Sequence, residues 1–242
     1  MKLQLATSCL PLLGLFTAAS GTTIAEINGD RYISPLRNQR VSNVTGIVTA
    51  KGPDGFWISS TTPDRNSRTS EGLYVFGKTA IGNVTLGDKI TLDGTVAEYR
   101  SSAAYIFLTE LTNPGNITIV SSGNKVTPIT IGKNGVNPPV REFSCLDNGD
   151  VFHVPNNSSQ ISVANPVLKP GSYGLDFWES LSGELVTVRK ARAVSRPNNF
   201  GDTWIVGDWE TRGDNKRGGL TMTNRGKRAA VTFMNNNVLT TF

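Results

Sequence analysis

"RVSNVTGIVTAKGPDGFWISS", residues 40–60, is the stretch whose reading decides the fold. Residues 40–50 are rich in Val, Ile and Thr and read as a strand. "KGPDG" (51–55) is a turn, and "FWISS" (56–60) is a second strand. Working outward, residues 61–70 are a polar loop and "EGLYVFG" (71–77) is a third strand. "LGDKITLDGTVAEY" (86–99) opens on a Gly-Asp turn and continues as a long strand, with Gly94 marking a bulge or bend. "AAYIFLTEL" (103–111) is a fifth strand. Five strands within about 75 residues, one of them long and bent, predict a small closed Greek-key barrel of the OB type. An open sandwich is the competing arrangement.

Beyond the fifth strand the composition changes. Residues 112–140 are rich in Pro, Gly and Asn, and "GKNGVNPPV" (132–140) reads as an extended linker. "GSYGLDFWESLSG" (171–183) has room for one short helix. "ELVTVRKARAV" (184–194) and "DTWIVG" (202–207) then read as strands. This pair echoes 43–58: a Val-rich strand leads through a polar turn into an aromatic-plus-Ile strand. The fold class expected is all-β, an OB-like barrel followed by a second, incomplete β unit. The expected segments are a signal peptide (1–20), the barrel (21–120), an irregular linker (121–170), the second β unit (171–223) and a basic, disordered tail (224–242).

The start of the chain carries an address. Lys2 precedes an apolar run from Leu3 to Phe16 and then Thr17-Ala18-Ala19-Ser20, the pattern of a secretory signal peptide. The run is too short to span a bilayer. The mature chain is expected to be extracellular and off the membrane. The sequons at Asn43, Asn83, Asn116, Asn156 and Asn157 suit a glycosylating export route. Removal of the signal leaves Cys145 as the single cysteine, either buried, paired with another chain, or missing its partner.

The net charge of +5 does not describe the body of the protein. Residues 211–242 hold six basic residues against Asp214 alone, whereas the preceding mature sequence is near neutral. The body therefore has no net signature for polyanions.

Candidate chemistry is sparse. Asp202, Asp208 and Asp214 recur at intervals of six, but six residues of strand cover about 20 Å, too far for one metal ion. Gly-Asp also recurs at 29–30, 87–88 and 149–150, so turns are the preferred reading. His153 is the sole histidine and has no evident catalytic partner. Glu98 and Glu110 could form a carboxylate pair, though their spacing does not favour it over exposed strand positions. No catalytic or metal-binding residue is assigned. A nucleic-acid surface on the barrel would use Phe56, Trp57, Tyr74 and Phe76 for stacking, with Lys51, Arg65 and Arg68 near the backbone. Alternation of the same aromatics into the core is the competing reading.

"TIAEINGDRYISPLRNQRVSNVTGIVTA", "GFWIS", "TSEGLYVF" and "LGDKITLDGTVAEY", followed by "LTEL", resemble the N-terminal region of secreted nucleases of the endonuclease/exonuclease/phosphatase superfamily. "GLDFWESLSGELVTVRKARAVSRPNNFGDTWIVGDWETRGDNKRGGLTMT" is similar to the segment that follows in fungal members. The resemblance covers about residues 22–223 and implies an OB-like, non-catalytic module ahead of a metal-dependent phosphodiesterase domain. Motifs resembling Gly-Asp-Phe-Asn and Ser-Asp-His would mark that domain, and neither occurs. The nearest stretch, Gly174-Leu175-Asp176-Phe177, carries an insertion. No cofactor is expected in this chain, since a divalent metal such as Mg would belong to the absent domain. Expected partners are DNA or RNA and a catalytic nuclease domain. The alternative is a secreted module that binds glycans or a protein. The single cysteine of the mature chain, Cys145, the unfinished second unit and the charge change at 211 agree with truncation before the catalytic domain, with residues 224–242 unrelated to the family.

Overall fold

Alternation builds the barrel. In β1 (Arg40–Lys51), Val41, Val44 and Val48 turn inward, with a bulge between Val41 and Val44 and another between Val48 and Ala50. β2 (Gly55–Ser60) returns antiparallel across a tight turn closed by Gly52 N–H donating to Gly55 O at 2.8 Å. β3 (Gly72–Phe76) pairs with β2, setting Trp57 opposite Tyr74. A 3-10 turn (Lys78–Asn83) places Ala80 in the core and leads to β4 (Lys89–Tyr99), whose buried positions are Ile90, Leu92, Gly94 and Val96. β5 (Leu108–Ser121) runs antiparallel to β4 and parallel to β3 at Tyr74 and Val75. The order β1-β2-β3-β5-β4, closed by β4 on β1, is the five-stranded ring expected from the sequence. The chain is all-β with a few short helices, in a computed structural model that describes residues 21–103, 105–140, 142–146, 159–199, 201–211 and 214–220.

Gly94 is needed by close approach. A Cβ there would lie 2.4 Å from Leu111 Cγ, inside any physical contact. The β4–β5 register shifts around Asp93, which is the irregularity the glycine signalled. β5 differs from the expected fifth strand: it starts at Leu108 and continues through Pro114 to Ser121. Asn113 and Asn116 adopt left-handed conformations with φ of 50° and 51°, which let the strand absorb Pro114 and Gly115.

One end of the barrel is plugged by α1 (Ile24–Asn28), which the sequence reading did not anticipate. Its capping box joins Thr23 and Glu26, and its apolar face puts Ile24 and Ile27 in the core. Complete burial of each isoleucine contributes about 1.5–3 kcal/mol.

The rest of the chain forms smaller elements. β6 (Ile129–Ile131), inside the expected linker, pairs in parallel with β7 (Val186–Val188). β8 (Arg192–Ala193) and β9 (Ile205–Val206) form an antiparallel pair two residues long. The expected strand 184–194 is thus divided, at a turn where Lys190 has φ 46°. α2 (Ser159–Ala164) contributes Ile161 to a second cluster with Tyr32 and Leu168, and α3 (Gly174–Glu179) lies in the predicted helical stretch.

Residues 165–184 dock on the barrel through polar contacts. Ser70 Oγ donates to Ser182 O at 2.6 Å, and Leu168 N–H to Asp30 O at 2.9 Å. Gly72 meets Gly183 so closely that a Cβ on Gly72 would lie 2.2 Å from the Gly183 carbonyl carbon.

Candidate functional site

Strand direction divides the proposed nucleic-acid residues between the two ends of the barrel. β2 and β3 are antiparallel and β3 and β5 parallel, so the β2–β3 loop and the β4–β5 loop share one end. Arg65 and Arg68 lie in the first of these loops and are exposed. Lys51 and Phe76 sit toward the other end, where Lys51 Nζ donates to Val84 O at 2.7 Å. Phe56 is fully buried in the core and offers no face to a base. Trp57 and Tyr74 alternate outward from the core and stack with centroids 4.6 Å apart, but each is only 7% exposed. Phe76, 46% exposed, is the open aromatic of the set.

The outer face around this stack is unusually apolar for its acids. Glu110 lies opposite Tyr74 in the parallel pairing. Burial, then the charge of Glu98, pushes the Glu110 carboxyl up to about 7. Burial, then Glu110 and Asp54, pushes the Tyr74 hydroxyl up to about 12. Glu98 and Glu110, posed as a possible pair from the sequence, do sense each other, although they occupy adjacent positions on β4 and β5 rather than facing positions. Glu98 is held by Ser34 N–H at 2.6 Å and Thr109 Oγ1 at 3.2 Å. Its carboxyl is raised by burial, against the pull of those donors and of Arg37.

The end that carries Arg65 and Arg68 presents a second aromatic group. Phe107 makes cation–π contacts with two guanidinium groups, Arg100 at 4.4 Å and Arg37 at 5.4 Å from the ring centroid. Cation–π contacts of this kind contribute about 0.5–1 kcal/mol each at exposed sites. Tyr99 and Tyr105 flank the group, 49% and 59% exposed. Sequence reasoning missed these five residues because it placed Tyr105 and Phe107 in a strand over 103–111 and Tyr99 in a strand over 86–99, and Arg37 is distant in sequence. Arg100 followed by two aromatics at a loop position was the available signal.

The aspartates of 202–214 do not converge. Asp202 exchanges hydrogen bonds with Asn198 at 2.9 Å, Asp208 faces Lys190 at 3.5 Å, and Asp214 meets Arg192 at 2.5 Å and accepts from Thr211. Asp202 and Asp208 flank β9, as the turn reading expects. Among the described residues, no group of three or more His, Cys, Asp or Glu side chains could hold a metal ion. Asn43, Asn83 and Asn116 are exposed, and Asp93 links two of them, accepting from Asn43 N–H at 2.9 Å and Asn116 Nδ2 at 2.6 Å. Cys145 is partly buried. His153, Asn156, Asn157, the signal segment and the basic tail lie outside the described residues.

Residues 130–239 match the model of a family described as a domain of unknown function (DUF8508). The match begins in β6 and runs to residue 239, so the barrel strands precede it. No curated protein and no solved structure matches the chain.

Proposed function

We propose that this chain is a secreted, non-catalytic binding module whose barrel takes single-stranded nucleic acid at the end formed by the β2–β3 and β4–β5 loops. The observation that supports the reading is the cation–π group of Arg37, Phe107 and Arg100, with exposed Tyr99 and Tyr105 near it in sequence, on the same barrel end as Arg65 and Arg68. Exposed aromatic rings stack on bases irrespective of sequence, and arginines track the phosphates. The buried Trp57–Tyr74 stack supports the sheet beneath and does not contact the ligand. In this reading the module serves a metal-dependent phosphodiesterase domain of the endonuclease/exonuclease/phosphatase type, to which it presents the strand. The divalent metal belongs to that domain. Glycans at the exposed sequons Asn43, Asn83 and Asn116 accompany export.

Fluorescence anisotropy with a labelled oligothymidylate tests the proposal. Binding is expected to weaken steeply with added salt, because phosphate contacts release counterions. Tyr99→Ala/Tyr105→Ala should weaken it about tenfold or more, from stacking worth about 1–3 kcal/mol per base. Absence of binding at low salt overturns the reading. Retention of a neutral oligosaccharide, insensitive to salt, would instead favour a glycan-binding module, since tyrosine faces also stack on sugar rings.

A further inference from the structure

The junction between residues 165–184 and the barrel end is built from carboxylates on both sides. On the barrel side, Glu71 and Glu98 face it, and Asp30 meets it through its backbone carbonyl. On the other side lie Asp176, Glu179 and Glu184. Arg37 pulls on Glu98. Arg31 and Arg68 line the narrow cleft that also contains Glu179, Thr109 and Ser182, and its enclosed part holds roughly one water. Arg31 is engaged with Asn165 O at 2.7 Å and lies 3.9 Å from Asp30.

We infer that this junction is an acid-stabilised clasp, closed while its glutamates carry protons and loosened as they ionise. The geometry that carries this lies at Glu71, beside the Glu184 carboxyl. The Glu71 backbone N–H donates to Glu184 Oε1 at 2.9 Å, which sets the Glu184 carboxyl against residue 71, and Glu71 Oε2 is buried with no hydrogen-bond partner among the described residues, though the Ser60 hydroxyl pulls on the same carboxyl. Glu71 Oε1 accepts from Asp64 N–H at 2.6 Å, and the Asp64 carboxylate is a further like charge beside it. A buried carboxylate oxygen with no donor favours the protonated form.

The four glutamates and Tyr32 agree in direction. Burial, then the charge of Glu71, pushes Glu184 up to about 7, against the pull of the Glu71 N–H. Burial, then Glu98 and Asp176, pushes Glu179 up to about 8. Glu71 and Glu98 are also raised, first by burial. Tyr32, whose hydroxyl donates to Asp176, is held protonated by burial and by Asp176, Glu179 and Cys145. A carboxyl whose folded pKa is raised binds its proton more tightly in the closed state. Closure is therefore strongest below the ordinary carboxylate range, near 4.5, and weakens progressively as pH climbs to about 7–8. Asp176 accepts from Tyr32 and from Lys169 N–H at 2.7 Å.

Amide hydrogen exchange on the full chain reads the clasp directly. Protection factors at Glu71 and Leu168, whose N–H groups cross the junction, should fall at least tenfold between about pH 5.5 and about pH 8.5, while those at Val48 and Ile90 in the barrel hold. In E179Q/E184Q the fall should disappear. Protection unchanged over that range in the unsubstituted chain, or the same fall in E179Q/E184Q, overturns the inference. Should that variant not fold, carboxyl-carbon NMR titration of the unsubstituted chain decides: midpoints for Glu179 and Glu184 above about pH 6 support the clasp, and midpoints at or below it refute it.

Discussion

Gly94→Ala is the sharpest test of how the barrel closes. Gly94 lies within β4 and outside the left-handed region, so alanine meets no conformational penalty there and would, by itself, stabilise by about 0.4–1 kcal/mol through the unfolded chain. The obstacle is Leu111. The added Cβ would lie 2.4 Å from its Cγ, 2.7 Å from Cδ2 and 3.0 Å from Cδ1. Leu111 is fully buried and lies on β5 beside Val75 of β3, in the parallel pairing of the ring, so it has little room to retreat. Overpacking of this kind costs about 1–3 kcal/mol, leaving a net loss of roughly 1–2 kcal/mol. For a chain of this size that lowers the Tm by about 2–8 °C. Leu111→Ala alone should cost about 2–5 kcal/mol through the cavity it leaves. Since the methyl group added at Gly94 would partly fill that cavity, the double variant should lose at least about 1 kcal/mol less than the sum of the two. Urea unfolding followed by tryptophan fluorescence measures all three. A neutral or stabilising Gly94→Ala, or strict additivity in the cycle, would refute the packing described for β4 against β5.

Other outcomes follow from the junction and the aromatic pair. Glu184→Gln keeps the acceptor for Glu71 N–H but removes the charge. It should leave stability unchanged near pH 4.5 and raise it above pH 7 by about 3 kcal/mol, since burial holds this carboxyl up to about 7 against an ordinary 4.5, as read from thermal melts at both pH values. Tyr32→Phe deletes the donor to buried Asp176, which keeps only the Lys169 N–H, and should cost about 1–3 kcal/mol in urea unfolding at neutral pH. Trp57→Ala strips the ring stacked on Tyr74 and should destabilise by about 3–5 kcal/mol, while oligonucleotide affinity of the folded fraction stays within about twofold.

The first three strands and β4 were legible because each carries a local signal: Val-rich alternation, a Gly-Asp or Pro-Asp-Gly turn, and a glycine where backbones crowd. β5 was read short because Pro114-Gly115 resembles a linker, and two asparagines in left-handed conformations rescue the strand. α1 was missed because a five-residue helix is held by its capping box and by the core beneath it, with too few turns to display a period. Alternation could not say that the outer face bearing Trp57 and Tyr74 would be covered, since exposure depends on neighbours distant in sequence. It could also not gather Arg37, Arg100 and Phe107, which meet only when the start of β1 and the β4–β5 loop reach the same end of the barrel. The separated aspartates of 202–214 were the reverse case: strand geometry alone argued against convergence, and each has its own partner.

The most direct test of the binding proposal is a backbone NMR titration of the full chain with an oligothymidylate at low salt. The account predicts saturable shifts at Tyr99, Arg100, Tyr105 and Phe107, with Arg65 and Arg68 moving at the same ligand concentration. Saturable shifts confined to the face of Lys51 and Phe76, or no shifts in the barrel at all, would contradict it.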